Sequence, residues 1–129
     1  MILKIKEKEY NIQFGYKATL KTRLLSRMAK FTAIQNEDLS SIEDILLFVP
    51  EILLVGLQKH HSKEFSFDLD NNKGYEEQKE KVFDMLADTL DEGELDCIDL
   101  FNDLQEEMLK NGFLKKMFER EVENEIQKQ

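Results

Sequence analysis

The chain has 129 residues, 41% of them hydrophobic, which is the length of one domain with a moderate core that needs no covalent staples. Its single cysteine, Cys97, excludes an internal disulfide, and a reducing compartment suits it. The net charge of −9 is uneven: residues 1–35 hold eight Lys/Arg and two acids, giving +6, and the remainder carries −15. So acidic a chain is a poor general ligand for nucleic acid, while the asymmetry can steer one end of a molecule toward the opposite end of a neighbour.

The first fourteen residues, "MILKIKEKEYNIQF", break into alternating charges too soon for a signal peptide. They alternate as strands do. Leu3 and Ile5 share one face, as do Tyr10, Ile12 and Phe14, and a hairpin over 2–14 is expected. Two strands cannot stand by themselves, so a helix must cover the apolar side.

Residues 17–33 turn helical, with Leu20, Leu24 and Met28 four apart. Lys17, Lys21, Arg23, Arg27 and Lys30 would decorate the outer side. A nucleic-acid interface is one reading of that face, opposed by the acidic remainder and by the lack of interleaved aromatics.

A second helix is expected over 41–58, entered through a Ser40/Glu43 capping box. Its stretch "ILLFVPEILLVGL" is too short for a bilayer span, which needs about 20 apolar residues, and it contains Pro50 and Glu51. A helix apolar nearly all round must be covered on several sides, and Pro50 should kink it.

Residues 59–73 have no helical period and read as a loop, with His60 and His61 following a helix end where a cation suits the dipole. The stretch "DLDNNKGYEEQKE" resembles a calcium loop in outline. Counted from Asp68, however, Lys73 falls at the glycine position and Lys79 at the bidentate position, so a polar turn is the better reading. Two further helices are expected over 75–92 and 95–110. The first buries Val82, Leu86 and Leu90 and stops at Gly93; the second turns Ile98, Phe101, Leu104 and Met108 inward and stops at Asn111-Gly112. Residues 112–129 form an amphipathic segment with Leu114, Phe118, Val122 and Ile126 in one row, suited to docking on its own core or on a neighbour. The expected architecture is therefore mainly α (α+β), a hairpin followed by four to five helices.

Catalytic signatures do not accumulate. Adjacent His60 and His61 would diverge on an extended chain and have no zinc-ligand partner spacing. Cys97 sits at an apolar helix position with no base nearby in sequence, and reads as a packed thiol. The reading is a non-enzyme with no metal and no cofactor.

The order of elements, with "IQFGYKATLK" entering the first helix and "SSIEDILLFVPEILLVGL" as a capped apolar helix, resembles the tail assembly chaperones of long-tailed (siphovirus) phages of Gram-positive bacteria. The similarity is clearest over residues 1–92, and Pro50 with Phe48 departs from the smoother helix of that pattern. It implies a protein that binds the tape measure protein in the host cytoplasm, keeps it soluble until the tail tube polymerises, and is left out of the mature virion. On that reading Leu46, Phe48, Val49, Ile52 and Leu53 form a partner-binding groove. Leu114, Phe118, Val122 and Ile126 of a neighbour would fill it until client arrives, giving head-to-tail rings or spirals. The alternatives are a small acidic adaptor that binds a partner helix and, further off, a nucleic-acid-binding adaptor.

Overall fold

The computed structural model describes residues 1–32, 39–117 and 119–120. Two antiparallel strands, β1 (Ile2–Ile5) and β2 (Lys8–Asn11), are followed by α1 (Tyr16–Lys21), α2 (Leu24–Thr32), α3 (Leu39–His61), α4 (Tyr75–Asp91) and α5 (Cys97–Lys110). A helical turn begins again at Lys115. The expected mainly α architecture with an N-terminal hairpin is what the chain adopts.

The hairpin closes through a two-residue turn at Lys6-Glu7, with Leu3 opposite Tyr10 and Ile5 opposite Lys8. Lys6 takes a left-handed conformation, φ 58°, the kind of backbone a tight hairpin turn demands. The alternation buries Leu3, Ile5, Tyr10, Ile12 and Phe14. Beyond β2 the chain stays extended: Ile12 N–H donates to the Met1 carbonyl at 2.7 Å, and Gln13 N–H donates to the Gly56 carbonyl at 3.0 Å. That second bond lays the hairpin's tail directly across α3.

Helix α3 is the axis of the molecule, about 35 Å long at 1.5 Å per residue. It packs against β2, α1, α2, α4 and α5. From Phe48 to Leu57 every side chain except Glu51 is buried, which accounts for the nearly unbroken apolar sequence. The helix continues through Pro50, and Pro50 has no N–H to give the Leu46 carbonyl. Phe31 of α2 stacks on Phe48 at 4.9 Å between ring centres and meets Phe101 of α5 edge-on at 6.4 Å, so three helices share one aromatic contact.

Several boundaries differ from the sequence expectation. The single helix over 17–33 is two helices, broken at Thr22-Arg23. Thr22 Oγ1 donates to the Ala18 carbonyl at 2.7 Å, and Arg23 turns left-handed at φ 55°. A β-branched residue whose hydroxyl bonds back to the preceding turn competes with helix continuation. The break carries Leu20 out to the surface while Leu24 and Met28 remain buried. Helix α3 runs from 39 to 61 rather than 41 to 58. Ser40 is therefore inside it rather than capping it, and His60 and His61 form its last turn rather than a loop. His61 Nε2 accepts from Asn11 N–H at 3.0 Å, and its ring sits edge-on to Tyr10 at 5.3 Å. Neither contact needs a metal.

The residues after α3 fold into the expected polar turn. Asp68 Oδ1 accepts from Asp70 N–H at 2.8 Å, Asn71 Oδ1 accepts from Lys73 N–H at 2.9 Å, and the Asp68 and Asn72 backbones bond at 2.8 Å. The Asp68 carboxylate is thus engaged by its own turn. Gly74 is the N-cap of helix α4, and Glu76 and Glu77 in its first turn complement the helix dipole. It ends at Gly93, φ 75°, as the sequence indicates. Helix α5 is capped by Asp96, whose side chain accepts from Asp99 N–H at 2.9 Å. Phe101, Leu104 and Met108 face inward as expected, but Ile98, in the first turn, is exposed and Leu100 takes an inward place instead.

Candidate functional site

The nine residues assigned to partner binding from sequence separate in space. Phe48, Val49, Ile52 and Leu53 are buried in the chain's own core, where no partner reaches them without opening the fold. Leu114 is also buried against that core. Phe118, Val122 and Ile126 lie outside the described residues. Leu46, 39% exposed, stays at the surface. The physical reason is the covering of α3: from Phe48 to Leu57 every side chain but Glu51 is buried, while the residues before Phe48 are only partly covered.

Around Leu46 the structure builds something that the linear sequence does not show. A cavity of about 300 Å³ opens between the three helices. Leu46, Val49 and Pro50 form one wall, Phe83, Leu86, Ala87, Leu90 and Asp91 of α4 the second, and Cys97 at the start of α5 the end. Leu46, Val49 and Pro50 share a face because residues three and four apart on a helix do so. The same spacing brings Phe83, Leu86, Ala87 and Leu90 together. The volume is about twice that of a ~150 Å³ cavity that admits a benzene-sized ring, so the space suits two large apolar side chains.

Two of the lining residues reach the surface, Leu46 and Phe83, the latter 43% exposed, and they make an apolar mouth that water covers poorly. Leu47 and Ile98, sequence neighbours of the lining residues Leu46 and Cys97, are exposed as well. Phe83 sits one residue off the buried Val82–Leu86 pair, and a large aromatic displaced from the inward row was the available sequence signal. Acids flank the patch. Glu43 lies one turn before Leu46, and Asp84 and Asp91 share the face of Ala87 on α4. None of the three makes an ion pair among the described residues.

The walls are held in place by a polar lock one turn away. Glu51 Oε1 accepts from Arg27 Nη2 of α2 and from Tyr75 Oη of α4 at 2.7 Å. The Arg27 guanidinium also lies over the Phe48 ring at 4.9 Å. Burial pushes the Tyr75 hydroxyl well above its ordinary pKa, and acceptance by Glu51 adds to this, so the phenol stays protonated and donating. Burial works against the Arg27 charge, but the bonds to Tyr75 and Glu51 outweigh it and raise its pKa. Because Tyr75 is the first residue of α4, the lock fixes that helix against α3 two turns before Phe83 reaches the cavity.

The same lock revises the basic face. Arg27 is turned inward to Glu51, and Lys21 pairs with Asp70 at 3.4 Å, so the five cations do not form one free stripe. The Cys97 thiol is half-buried, and burial, then the neighbouring Asp96 carboxylate, push its pKa up, which disfavours the thiolate. With a carboxylate and a protonated thiol as its polar side chains, the cavity is built to accept apolar groups. Its polar rim is suited to cations.

Comparison with protein-family models, with curated proteins and with solved structures finds no match for this chain. No helix among the described residues is long and apolar enough to cross a membrane.

Proposed function

We propose that this chain is a non-enzymatic assembly chaperone of a long-tailed phage, and that it receives apolar helical segments of the tape measure protein in the cavity between α3, α4 and α5. The observation that carries the reading is the apolar opening itself. A 300 Å³ space lined by apolar side chains of three helices opens to the surface, with Leu46 and Phe83 exposed at its mouth. Helix-in-groove recognition works through two or three apolar anchors spaced three or four residues apart, and the space takes two. The sequence resemblance supplies the class of client. A tape measure protein is a long helical chain whose apolar surface would aggregate uncovered.

On this reading the acidic exterior keeps the chaperone–client complex soluble, and the acids flanking the cavity favour client helices with Lys or Arg beside the anchors. The work takes place in the cytoplasm of the bacterial host, before the tube forms, and requires no cofactor. A small acidic adaptor would use the same cavity for another helix, so the two readings differ in the partner rather than in the site.

The test is co-expression with fragments of a tape measure protein, scored by the soluble fraction of each fragment. Wild-type chain is expected to move at least one fragment from pellet to supernatant, and Leu46→Asp to abolish the effect while leaving the fold intact. Equal solubilisation by wild type and by Leu46→Asp would remove the cavity from the account.

A further inference from the structure

The hairpin is a two-stranded sheet, so each strand has an edge with no strand beside it. The phase of the ladder decides which groups lie on those edges. Ile12 N–H donates to the Met1 carbonyl at 2.7 Å, and the Met1 amine donates back to the Ile12 carbonyl at 3.2 Å. Bonded and non-bonded pairs alternate along an antiparallel ladder, so Leu3–Tyr10 and Ile5–Lys8 are the next bonded pairs. The N–H and C=O groups of Ile2 and Lys4 therefore point away from β2. None of them has a hydrogen-bond partner among the described residues. The outer edge of β2 is different, because Asn11 N–H is already given to His61.

A cleft of about 590 Å³ lies beside the open edge of β1. Ile2, Leu3, Lys4 and Lys6 form one side, and Glu94 and Leu95, in the connection between α4 and α5, form the other. Leu3 turns toward the core and Leu95 packs against it, while Ile2 is 61% exposed. Lys6 is engaged with Asp88 of α4 at 3.3 Å. Lys4 is exposed and forms no ion pair among the described residues.

We infer that the open edge of β1 takes an extended segment of a partner protein as a third, antiparallel strand. Backbone donors and acceptors at alternate residues are matched by the backbone of another strand, which presents the same repeat. The flanking side chains set the sequence preference. A residue opposite Leu3 meets Leu3 and Leu95 on the core side and is apolar. A residue opposite Ile2 is apolar, and one opposite Lys4 is acidic, both on the solvent side. Glu94 stands on the far wall, so the match is a single acid beside Lys4 rather than an acidic run. A second copy of β1 would add its own Lys4 and Lys6 to the same ladder, and this charge disfavours self-pairing. The cleft shares no lining residue with the cavity between α3, α4 and α5, so the two surfaces take different partners, one extended and one helical.

The probe is the capped peptide Thr-Glu-Val-Val-Thr, titrated into full-length protein and followed by amide NMR. Its Glu lies opposite Lys4, its central Val opposite Leu3 and its second Val opposite Ile2. The Ile2 and Lys4 amide protons are expected to move downfield saturably. N-methylation of the Glu and the second Val removes the donors that face β1 and should weaken binding at least about tenfold. N-methylation of the central Val, whose N–H faces away, should leave binding nearly unchanged. Lys in place of the peptide's Glu should weaken it about threefold. Ile2→Pro deletes an outward N–H without costing the hairpin a bond, and should weaken binding while circular dichroism shows an intact fold. Leu46→Asp should bind the peptide as wild type does. No saturable shift, equal binding by the two N-methylated isomers, or undiminished binding by Ile2→Pro would each overturn the inference. Loss of binding in Leu46→Asp would overturn it too, by moving the peptide to the cavity.

Discussion

Gly56 offers a quantitative check on how the hairpin is seated. It lies inside α3, where replacing glycine by alanine ordinarily gains about 1 kcal/mol of helix stability. Here a Cβ would stand 2.6 Å from Ile12 Cγ2 and 3.1 Å from Phe14 Cζ. Carbon contacts settle at about 3.5–4.0 Å, so one side must move by roughly 1 Å. Neither side moves easily: Ile12 and Phe14 are buried, and the residue between them is tied to the Gly56 carbonyl at 3.0 Å. Overpacking of this kind costs about 1–3 kcal/mol. Set against the propensity gain, Gly56→Ala should range from near neutral to about 2 kcal/mol destabilising, and the steric estimate favours a loss. That corresponds to a melting temperature lower by several degrees for a domain of this size. Thermal and urea unfolding read it directly. In an Ile12→Ala background the closest atom is gone, so the same Gly56→Ala change should cost less or turn favourable, a coupling that a double-mutant cycle isolates. A Gly56→Ala variant more stable than wild type would refute the close crossing of the hairpin tail over α3.

Tyr75→Phe removes one donor to Glu51 and should cost about 1 kcal/mol near neutral pH. Burial raises the Tyr75 pKa in the folded state, so the folded chain holds its phenolic proton where the unfolded chain releases it, and stability should fall as pH rises above about 10; Tyr75→Phe should flatten that part of the pH–stability profile relative to wild type. Arg23→Gly relieves a left-handed residue at φ 55° and should raise the urea midpoint, by up to about 1 kcal/mol in stability. Asp96→Ala deletes the α5 cap and should cost about 1 kcal/mol, with faster amide exchange at Asp99, whose N–H the cap accepts.

Much of the fold was legible because its signals are local. Alternation in the hairpin, the four-residue row of α4, the inward Phe101, Leu104 and Met108 of α5, and the stops at Gly93 and Gly112 each depend on a few neighbouring residues. The break between α1 and α2 escaped because Leu20, Leu24 and Met28 keep helical spacing straight across it, while the cause lies in one threonine hydroxyl and one left-handed arginine. The position of the hairpin turn was not legible, because Lys6-Glu7 lacks the glycine or asparagine that usually marks a tight turn.

The site was half legible. Sequence identifies α3 as more apolar than one packing face requires, but periodicity cannot say which neighbour covers which residue. The chain itself covers Phe48, Val49, Ile52 and Leu53, and leaves Leu46 open. The second wall, Phe83 through Asp91, and Cys97 at its end depend on how α4 and α5 lie against α3. Tyr75, which fixes that geometry through Glu51, is 24 residues away from its acceptor in the chain.

Cys97 makes the central claim directly measurable, because the chain's sole thiol lines the cavity. The measurement is the rate of Cys97 alkylation with and without a saturating amphipathic helical fragment of a tape measure protein, in wild type and in Leu46→Asp. The account predicts that the fragment slows alkylation severalfold in wild type and leaves the rate in Leu46→Asp unchanged. A fragment that binds wild type while Cys97 reacts at its unprotected rate would contradict it.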